Sequence, residues 1–221
     1  MNIYDALIKR KSTRAFLDKE VSMDKVERIL KYARYAPSGT NIQPWQVAVV
    51  SGERKKQITT QLQDAFEQGI KGKMDYQYYP LYWTSPYKER RKACGLKLYQ
   101  TLNIEREDKE KQRAHWIRNY NAFDAPVILF FFMDKILETG SFLDYGMFIQ
   151  SVMLGAIEEG LATCPQAALG EYPKIVKQAL GYPEDCILIC GMALGYEDND
   201  AKINSYRLGR EELDSFVQYY K

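Results

Sequence analysis

The stretch Arg10-Lys11-Ser12-Thr13-Arg14-Ala15-Phe16 places three cations and two hydroxyls within five residues and then turns apolar. A short amphipathic run over residues 3–8 predicts one or two helical turns, after which the two hydroxyl residues favour an extended backbone. In an extended chain alternate side chains share a face, so Arg10, Ser12 and Arg14 are expected to point the same way. Two guanidiniums beside a hydroxyl suit a phosphate group, because each offers a planar fork of donors. Charge alone favours a solvated basic run. The choice between that interpretation and a phosphate site depends on the rest of the chain.

The length and composition limit the classes of protein to which the chain can belong. With 221 residues, of which 46% are hydrophobic, the chain can form one sizeable α/β domain or two small ones. A net charge of +2 argues against a broad nucleic-acid surface, although a local anion pocket stays possible. No apolar run is long enough to span a membrane, and charge arrives by Lys9, before any signal-peptide core. We therefore expect a cytoplasmic protein with neither a nucleic-acid partner nor a membrane partner.

The cysteines and the single histidine limit the available chemistry. Cys94, Cys164, Cys186 and Cys190 form no C-x-x-C pair, and His115 is the only histidine, which argues against a zinc site. The last two cysteines lie in an apolar run, where a strand would place them on one face as small core residues. The histidine has no nucleophile motif nearby and is expected to be structural or on the surface. An enzyme with these residues needs an organic cofactor.

The first part of the chain predicts helices and a strand around one polar loop. Ser22 is a suitable N-cap for a helix over residues 22–35. The loop over 37–45 is longer than a link requires and is rich in hydrogen-bonding groups, which is typical of binding loops, although an ordinary helix-to-strand link is the alternative. A strand over 46–50 and a helix over 53–68 follow.

Residues 69–87 form the least regular part of the sequence and carry a cluster of aromatic rings. A loop of this length inside a compact domain is either a functional lid or disordered. The aromatic content predicts an ordered lid, and the alternative is that the rings only pack the insert onto the domain. Helices are predicted over 88–102 and 105–118. The aromatic residues are Tyr76, Tyr78, Tyr79, Tyr82, Trp83 and Tyr87.

The second half alternates buried strands with helices. Residues 125–133 are a continuous run of β-formers, typical of a central strand buried on both faces. Residues 142–161 predict a long helix that is apolar almost all round, as in a large core or a subunit interface. This order predicts an α+β or α/β domain with a mixed sheet. The remaining predicted elements are a strand or extended loop over 161–170, a strand over 186–195, a helix over 173–180 and a short helix over 211–219.

Four stretches together resemble the FMN-dependent nitroreductase family. Each is weak alone, but their order in a chain of this length is specific. The resemblance covers residues 1–50 and about 125 to the end, and the region between 69 and 118 is where such proteins vary most. The stretches are Arg10-Lys11-Ser12-Thr13-Arg14, Ala36-Pro37-Ser38-Gly39-Thr40-Asn41-Ile42-Gln43-Pro44-Trp45, Gly160-Leu161-Ala162-Thr163-Cys164-Pro165-Gln166-Ala167-Ala168, and Gly191-Met192-Ala193-Leu194-Gly195-Tyr196 followed by Arg207 and Arg210.

The resemblance implies an α+β fold with a nitroreductase-like mixed β-sheet flanked by helices, in an intertwined homodimer. It implies one domain over residues 1–221, with a variable lid or insert at about 69–118. FMN would bind at each end of the dimer interface, its phosphate near both chain ends and its ring near residues 37–43 of the partner. The residues expected to bind FMN are Arg10, Lys11, Ser12, Arg14, Pro37, Ser38, Gly39, Asn41, Gln43, Pro165, Gln166, Ala167, Arg207 and Arg210.

The resemblance also implies an enzyme that takes hydride from NADPH or NADH and reduces nitroaromatics, quinones or similar acceptors. Donor and acceptor would use one slot in turn, which is a ping-pong mechanism, and no side chain is expected to act as catalytic acid or base. Two alternatives stay open. One keeps the fold, as a flavin reductase or an aromatic dehalogenase, and the other is a non-catalytic FMN-binding protein for storage or sensing.

Overall fold

The computed structural model describes residues 1–221 as an α+β structure with a four-stranded sheet in the order β1-β2-β4-β3. Seven helices flank the sheet, and short 3-10 turns join several elements. The α+β prediction is confirmed. The strands are β1 (Gln46–Ser51), β2 (Val127–Met133), β3 (Ala162–Gln166) and β4 (Ile187–Gly195). The helices are α1 (Ile3–Lys9), α2 (Met23–Ala33), α3 (Gly52–Glu67), α4 (Tyr87–Leu102), α5 (Lys109–Ile117), α6 (Gly140–Glu158) and α7 (Pro173–Leu180).

Strand β2 organises the core because every one of its residues is apolar and buried. It pairs with β1 on one side and β4 on the other. Successive side chains alternate between the faces of a strand. Accordingly Ile128, Phe130 and Phe132 enter one core cluster, whereas Leu129 and Phe131 enter the other. The predicted burial of this strand on both faces is confirmed.

All neighbouring strands of the sheet run antiparallel. The mixed character expected from the sequence is confined to one parallel bridge, between Ser12 and Thr163 of β3. The basic N-terminal segment therefore lies along the outer edge of β3. This pairing positions the segment together with an antiparallel bridge between Phe16 and Glu197.

A bulge in β4 changes which face its cysteines occupy. Phe131 is opposite Cys190, but Phe132 is opposite Leu188, so β4 carries one extra residue there. An extra residue shifts every later side chain to the other face. Cys186 consequently packs in one core cluster and Cys190 in the other. The expectation that the two share a face is wrong for this reason.

Helix α6 is packed on only part of its surface. Phe148, Val152 and Ala156 are buried against the sheet side, and α2 packs closely where Gly155 meets Ile29. Leu143 on the same helix is 72% exposed. An apolar helix with an uncovered face is typical of an interface.

The two ends of the chain also leave apolar side chains exposed. Helix α1 buries none of its residues. The helix predicted over 211–219 is absent, and the structure has a single 3-10 turn, Leu213–Ser215. A short helix needs tertiary packing for stability, and the exposed tail has none within the chain. No helix of this structure combines the length and the apolar character needed to cross a membrane.

Candidate functional site

The basic segment is extended and fixed by backbone hydrogen bonds. The Thr13 amide donates to the Thr163 carbonyl over 3.0 Å, and the Arg14 amide donates to Asn204 Oδ1 over 2.8 Å. Thr13 is fully buried, so its neighbours on either side face outward. The alternation expected from the sequence therefore places Ser12 and Arg14 on one side of an ordered edge.

Both ends of the chain line a cavity of about 390 Å³, hereafter the arginine cavity. Among the predicted site residues, it brings together Arg10, Lys11, Ser12, Arg14, Arg207 and Arg210. The Arg207 guanidinium donates to the carbonyls of Ile8 and Lys9, which holds the tail against α1. The remaining lining residues are Leu7, Ile8, Cys94, Tyr206 and Leu208.

The four guanidiniums of the arginine cavity have no carboxylate partner in the chain. Arg14 donates to the Ser12 carbonyl over 3.3 Å, and Arg210 donates to the carbonyls of Leu208 and Gly209 over 3.1 and 3.0 Å. Burial lowers the pKa of Arg10, and the neighbouring charges of Arg210 and Arg207 lower it further. Like charges this close repel one another, and a phosphate dianion would relieve that repulsion through charge-assisted hydrogen bonds. The donor set therefore fits the phosphate of a nucleotide.

Lys11 lines the same cavity but already has partners. Its ammonium lies 2.5 Å from Glu197 Oε1 and donates to the Asn204 carbonyl over 2.6 Å. Its charge is therefore balanced within the chain, unlike the arginine charges beside it.

The loop over 37–43 lies outside the arginine cavity and is mostly exposed. The Gly39 amide donates to Asp144 Oδ1 of α6 over 3.1 Å. The Gln43 amide donates to Ser38 Oγ over 3.0 Å, and the Gln43 side chain donates to the Asn41 carbonyl over 3.2 Å. These bonds give the loop a defined shape, while Pro37, Gly39 and Asn41 face solvent.

Residues Pro165, Gln166 and Ala167 lie where β3 ends and a 3-10 turn begins. Gln166 is buried and its side-chain nitrogen donates to the Asn119 carbonyl over 2.9 Å, whereas its Oε1 has no partner. Opposite it, a Cβ on Gly191 would lie 2.6 Å from Leu169, so only glycine fits. The three residues share β3 with Thr163, but they do not line the arginine cavity.

Sequence reasoning missed three residues of this region. Asn204 is buried and joins the tail to the basic segment, because its side chain also donates to the Ala15 carbonyl over 2.9 Å. Tyr206 lines the cavity, and burial raises the pKa of its phenol. Because Tyr206 directly precedes Arg207 in the sequence, the sequence could have indicated that it lies near the cavity. Cys94 comes from α4, and nothing local in the sequence indicated it.

His115 is structural, in line with the sequence. It lies in the interior with its ring 6.5 Å from Tyr99 and 6.4 Å from Phe123. Burial lowers its pKa to about 4, and the charges of Arg118 and Arg14 act in the same direction. It is therefore neutral at pH 7 and suits no proton-donor role there.

Only Cys94 of the predicted insert reaches the arginine cavity. The aromatic rings of the insert lie instead near the start of α6, where Tyr76 contacts Phe142 with ring centroids 4.8 Å apart. Asp144, which binds the loop over 37–43, is in the same helical turn. The loop over 37–43 and Tyr76 thus both contact the start of α6, and neither lines the arginine cavity.

Comparisons with known proteins identify relatives of this chain. The model of the Nitroreductase family matches residues 7–196. The chain is 37% identical over 192 residues to a nitrobenzene nitroreductase of Ectopseudomonas oleovorans, covering 86% of this chain and 85% of that protein. A chloronitrobenzene nitroreductase of Comamonas testosteroni is 36% identical over 192 residues, with 86% and 85% covered.

Solved structures show the same similarity over the whole chain. The crystal structure of the FMN and NADPH-dependent nitroreductase NfnB from sphigopyxis sp. strain HMH superposes with a TM-score of 0.97 at 37% identity, covering 100% of both chains. A second crystal structure superposes with a TM-score of 0.93 at 28% identity, again covering 100% of both chains. It is that of the FMN-dependent nitroreductase NfnB from Mycobacterium smegmatis in complex with NADPH. The family match spans the basic segment, the loop over 37–43 and the end of β3. This chain therefore belongs to the nitroreductase family.

Proposed function

We propose that this protein is an FMN-dependent oxidoreductase that takes hydride from NADPH or NADH and reduces nitroaromatic compounds, quinones or similar acceptors. The observation that supports this proposal most directly is the arginine cavity, whose four guanidiniums lack a carboxylate partner. The relatives named as nitrobenzene and chloronitrobenzene nitroreductases support the substrate class. The structures named as FMN and NADPH-dependent support the cofactor and the donor.

The arginine cavity would hold the phosphate end of FMN. Arg10, Ser12, Arg14 and Arg210 supply its donors, and Arg207 adds charge while it ties the tail to α1. We assign Lys11 to holding Glu197 and the tail, since its ammonium is already paired.

A homodimer would complete the ring end of the site. Leu143 of α6, the apolar residues of α1 and the tail residue Phe216 are exposed in a single chain, and burying such surface drives association. The exposed loop with Pro37, Ser38, Gly39, Asn41 and Gln43 would then line the ring and ribityl chain bound to the partner.

When bound, FMN supplies the chemistry of accepting and passing on a hydride. The chain supplies positions and charge rather than an acid or base, in keeping with a neutral His115. Pro165, Gln166 and Ala167 would pass the reactive edge of the ring, and the amides of Gln166 and Ala167 would be the backbone donors there. Nicotinamide and acceptor would occupy one slot in turn, so initial-rate plots should show parallel lines. The single-domain organisation and the cytoplasmic location stay predictions.

An absorption spectrum of the purified protein, followed by anaerobic NADPH and then NADH, tests the proposal. A flavin spectrum that bleaches promptly supports the redox enzyme and identifies the donor. Flavin that stays oxidised with both donors favours a storage or sensing protein. No flavin after incubation with FMN contradicts the proposal.

A further inference from the structure

The insert divides into a fixed part and a part with few attachments. Residues 70–76, hereafter the strap, are hydrogen-bonded to the body of the protein along their length. The Tyr172 hydroxyl donates to the Ile70 carbonyl over 3.0 Å, and the Lys73 amide donates to the Glu171 carbonyl over 2.8 Å. Residues 77–86 form no hydrogen bond outside 77–90. Their placement therefore depends on the end of the strap.

An ion pair fixes that end. Asp75 Oδ2 lies 2.8 Å from the ammonium of Lys177 on α7 and accepts the Leu188 amide over 2.9 Å. Lys177 is only 3% exposed and also donates to the Glu184 carbonyl over 2.9 Å. Next along the chain, the Tyr76 hydroxyl donates to the carbonyl of Ile189, at the bulge of β4, over 2.8 Å.

A row of aromatic rings starts where the strap ends. Tyr76 contacts Tyr78 with ring centroids 6.1 Å apart, and Tyr78 contacts Tyr79 at 4.6 Å. Tyr79 then contacts Trp83 at 5.8 Å. These four residues, hereafter the aromatic ladder, begin against Phe142, two residues before the Asp144 that holds the loop over 37–43. The ladder and that loop therefore both contact the first two turns of α6.

We propose that Asp75 and Lys177 are positioning residues for substrate, because their ion pair sets where the aromatic ladder stands beside the site. The inference rests on the proposed function and specifies its substrate class. Phenol and indole faces stack well on electron-poor planar rings, which nitroaromatics present. Removing the charge of Asp75 leaves the buried ammonium without its counterion, so the lysine must turn toward solvent and the strap end is released.

The test compares Asp75→Asn with wild type in the FMN-loaded enzyme. The KM for nitrobenzene should rise about tenfold, as expected when a stacking surface is displaced. The kcat with ferricyanide, which does not stack on aromatic rings, and the affinity for FMN should stay unchanged. Trypsin should cut faster at the basic residues that follow the released segment, Lys88, Arg90, Arg91 and Lys92.

Two further variants keep the test decisive. Tyr76→Phe removes only the hydroxyl bond to Ile189 and should raise the same KM by a smaller factor, even if Asp75→Asn folds poorly. Asp185→Asn removes the charge from the exposed pair that Asp185 forms with Lys135 over 3.5 Å, and it should change nothing.

Two outcomes overturn the inference. One is faster trypsin cleavage with an unchanged KM for nitrobenzene, because the pair is then purely structural. The other is loss of FMN from Asp75→Asn, because the pair then acts on the cofactor. Failure of the proposed function would appear separately, as wild-type protein that takes up no FMN, and it leaves the trypsin measurement intact.

Discussion

The arginine cavity and the exposed region around the aromatic ladder are built in opposite ways. The cavity is assembled from both ends of one chain and is held by backbone hydrogen bonds. Most of the loop over 37–43 and the ladder residues Tyr78 and Tyr79 are exposed, whereas Tyr76 and Trp83 are half-buried. Under the proposed function, one chain would bind the phosphate alone, whereas the planar end of the ligand would need a second copy.

The largest expected effect comes from disrupting the proposed interface between two copies of the chain. A charge at Leu143 should raise the dimer dissociation constant by about 100-fold or more, since an unpaired charge buried in an interface costs about 3–5 kcal/mol. Leu143→Asp should elute as a monomer from a sizing column and retain little FMN. Ile149 of α6 packs partly inside its own chain and is a less specific probe of the interface.

Gln57→Asp, on the exposed face of α3, is the matched control and should stay dimeric. A Leu143→Asp protein that remains a dimer would move the interface to another surface.

Arg14→Ala probes the cavity itself. Losing a hydrogen bond to a charged group costs about 1.5–3 kcal/mol, so FMN should bind about 10- to 150-fold more weakly. The dimer should persist, because the side chain faces the cavity and not the exposed surfaces. Quenching of flavin fluorescence measures the affinity, with Arg54→Ala, an exposed arginine elsewhere, as control. Unchanged FMN affinity would contradict the phosphate assignment.

Two glycine substitutions, Gly191→Ala in β4 and Gly95→Ala in α4, compare the packing of the sheet with that of the insert. The methyl group of Gly191→Ala would lie 2.6 Å from Leu169, and overpacking of this kind costs about 1–3 kcal/mol in the free energy of unfolding. Gly95 of α4 meets nothing within 4 Å, so Gly95→Ala should be neutral or stabilising by up to about 1 kcal/mol. Urea unfolding of both variants measures the difference. Equal stabilities would show that the core around Leu169 can relax.

The smallest expected effect is in pH dependence. Burial lowers the pKa of His115 to about 4, below its unfolded value of 6.5. Between these values the unfolded chain binds more protons, so stability falls as pH drops from about 6.5 toward 4. His115→Gln should show a shallower decline of Tm over that interval. An identical slope would mean that other groups dominate.

Much of the fold was predictable where the sequence alone sets the environment. The uninterrupted β-formers of β2 could only be buried on both faces, and the apolar character of α6 predicted a large core or a subunit interface, of which its packing in the core is observed. The alternation of Arg10, Ser12 and Arg14 followed from an extended backbone, and the structure places all three in one cavity.

The rest depended on partners that are distant in sequence. The bulge in β4 arises from its register with β2, which no local pattern records. The prediction of a helix in the tail was wrong because the apolar face of that helix would have nothing in the chain to pack against. Cys94 enters the cavity only through the packing of α4, and the charge of Lys11 is balanced by Glu197, far along the chain.

The bond between Arg14 and Asn204 spans 190 positions, and it has a consequence for the timing of synthesis. A ribosome makes Arg14 190 residues before Asn204, which accepts its amide hydrogen bond. The cavity cannot close until the stretch through Arg210 has emerged, however early the sheet begins to form. Under the proposed function, FMN can therefore be captured only once Arg210 has left the ribosome, so cofactor loading would follow synthesis of the whole sheet rather than accompany it.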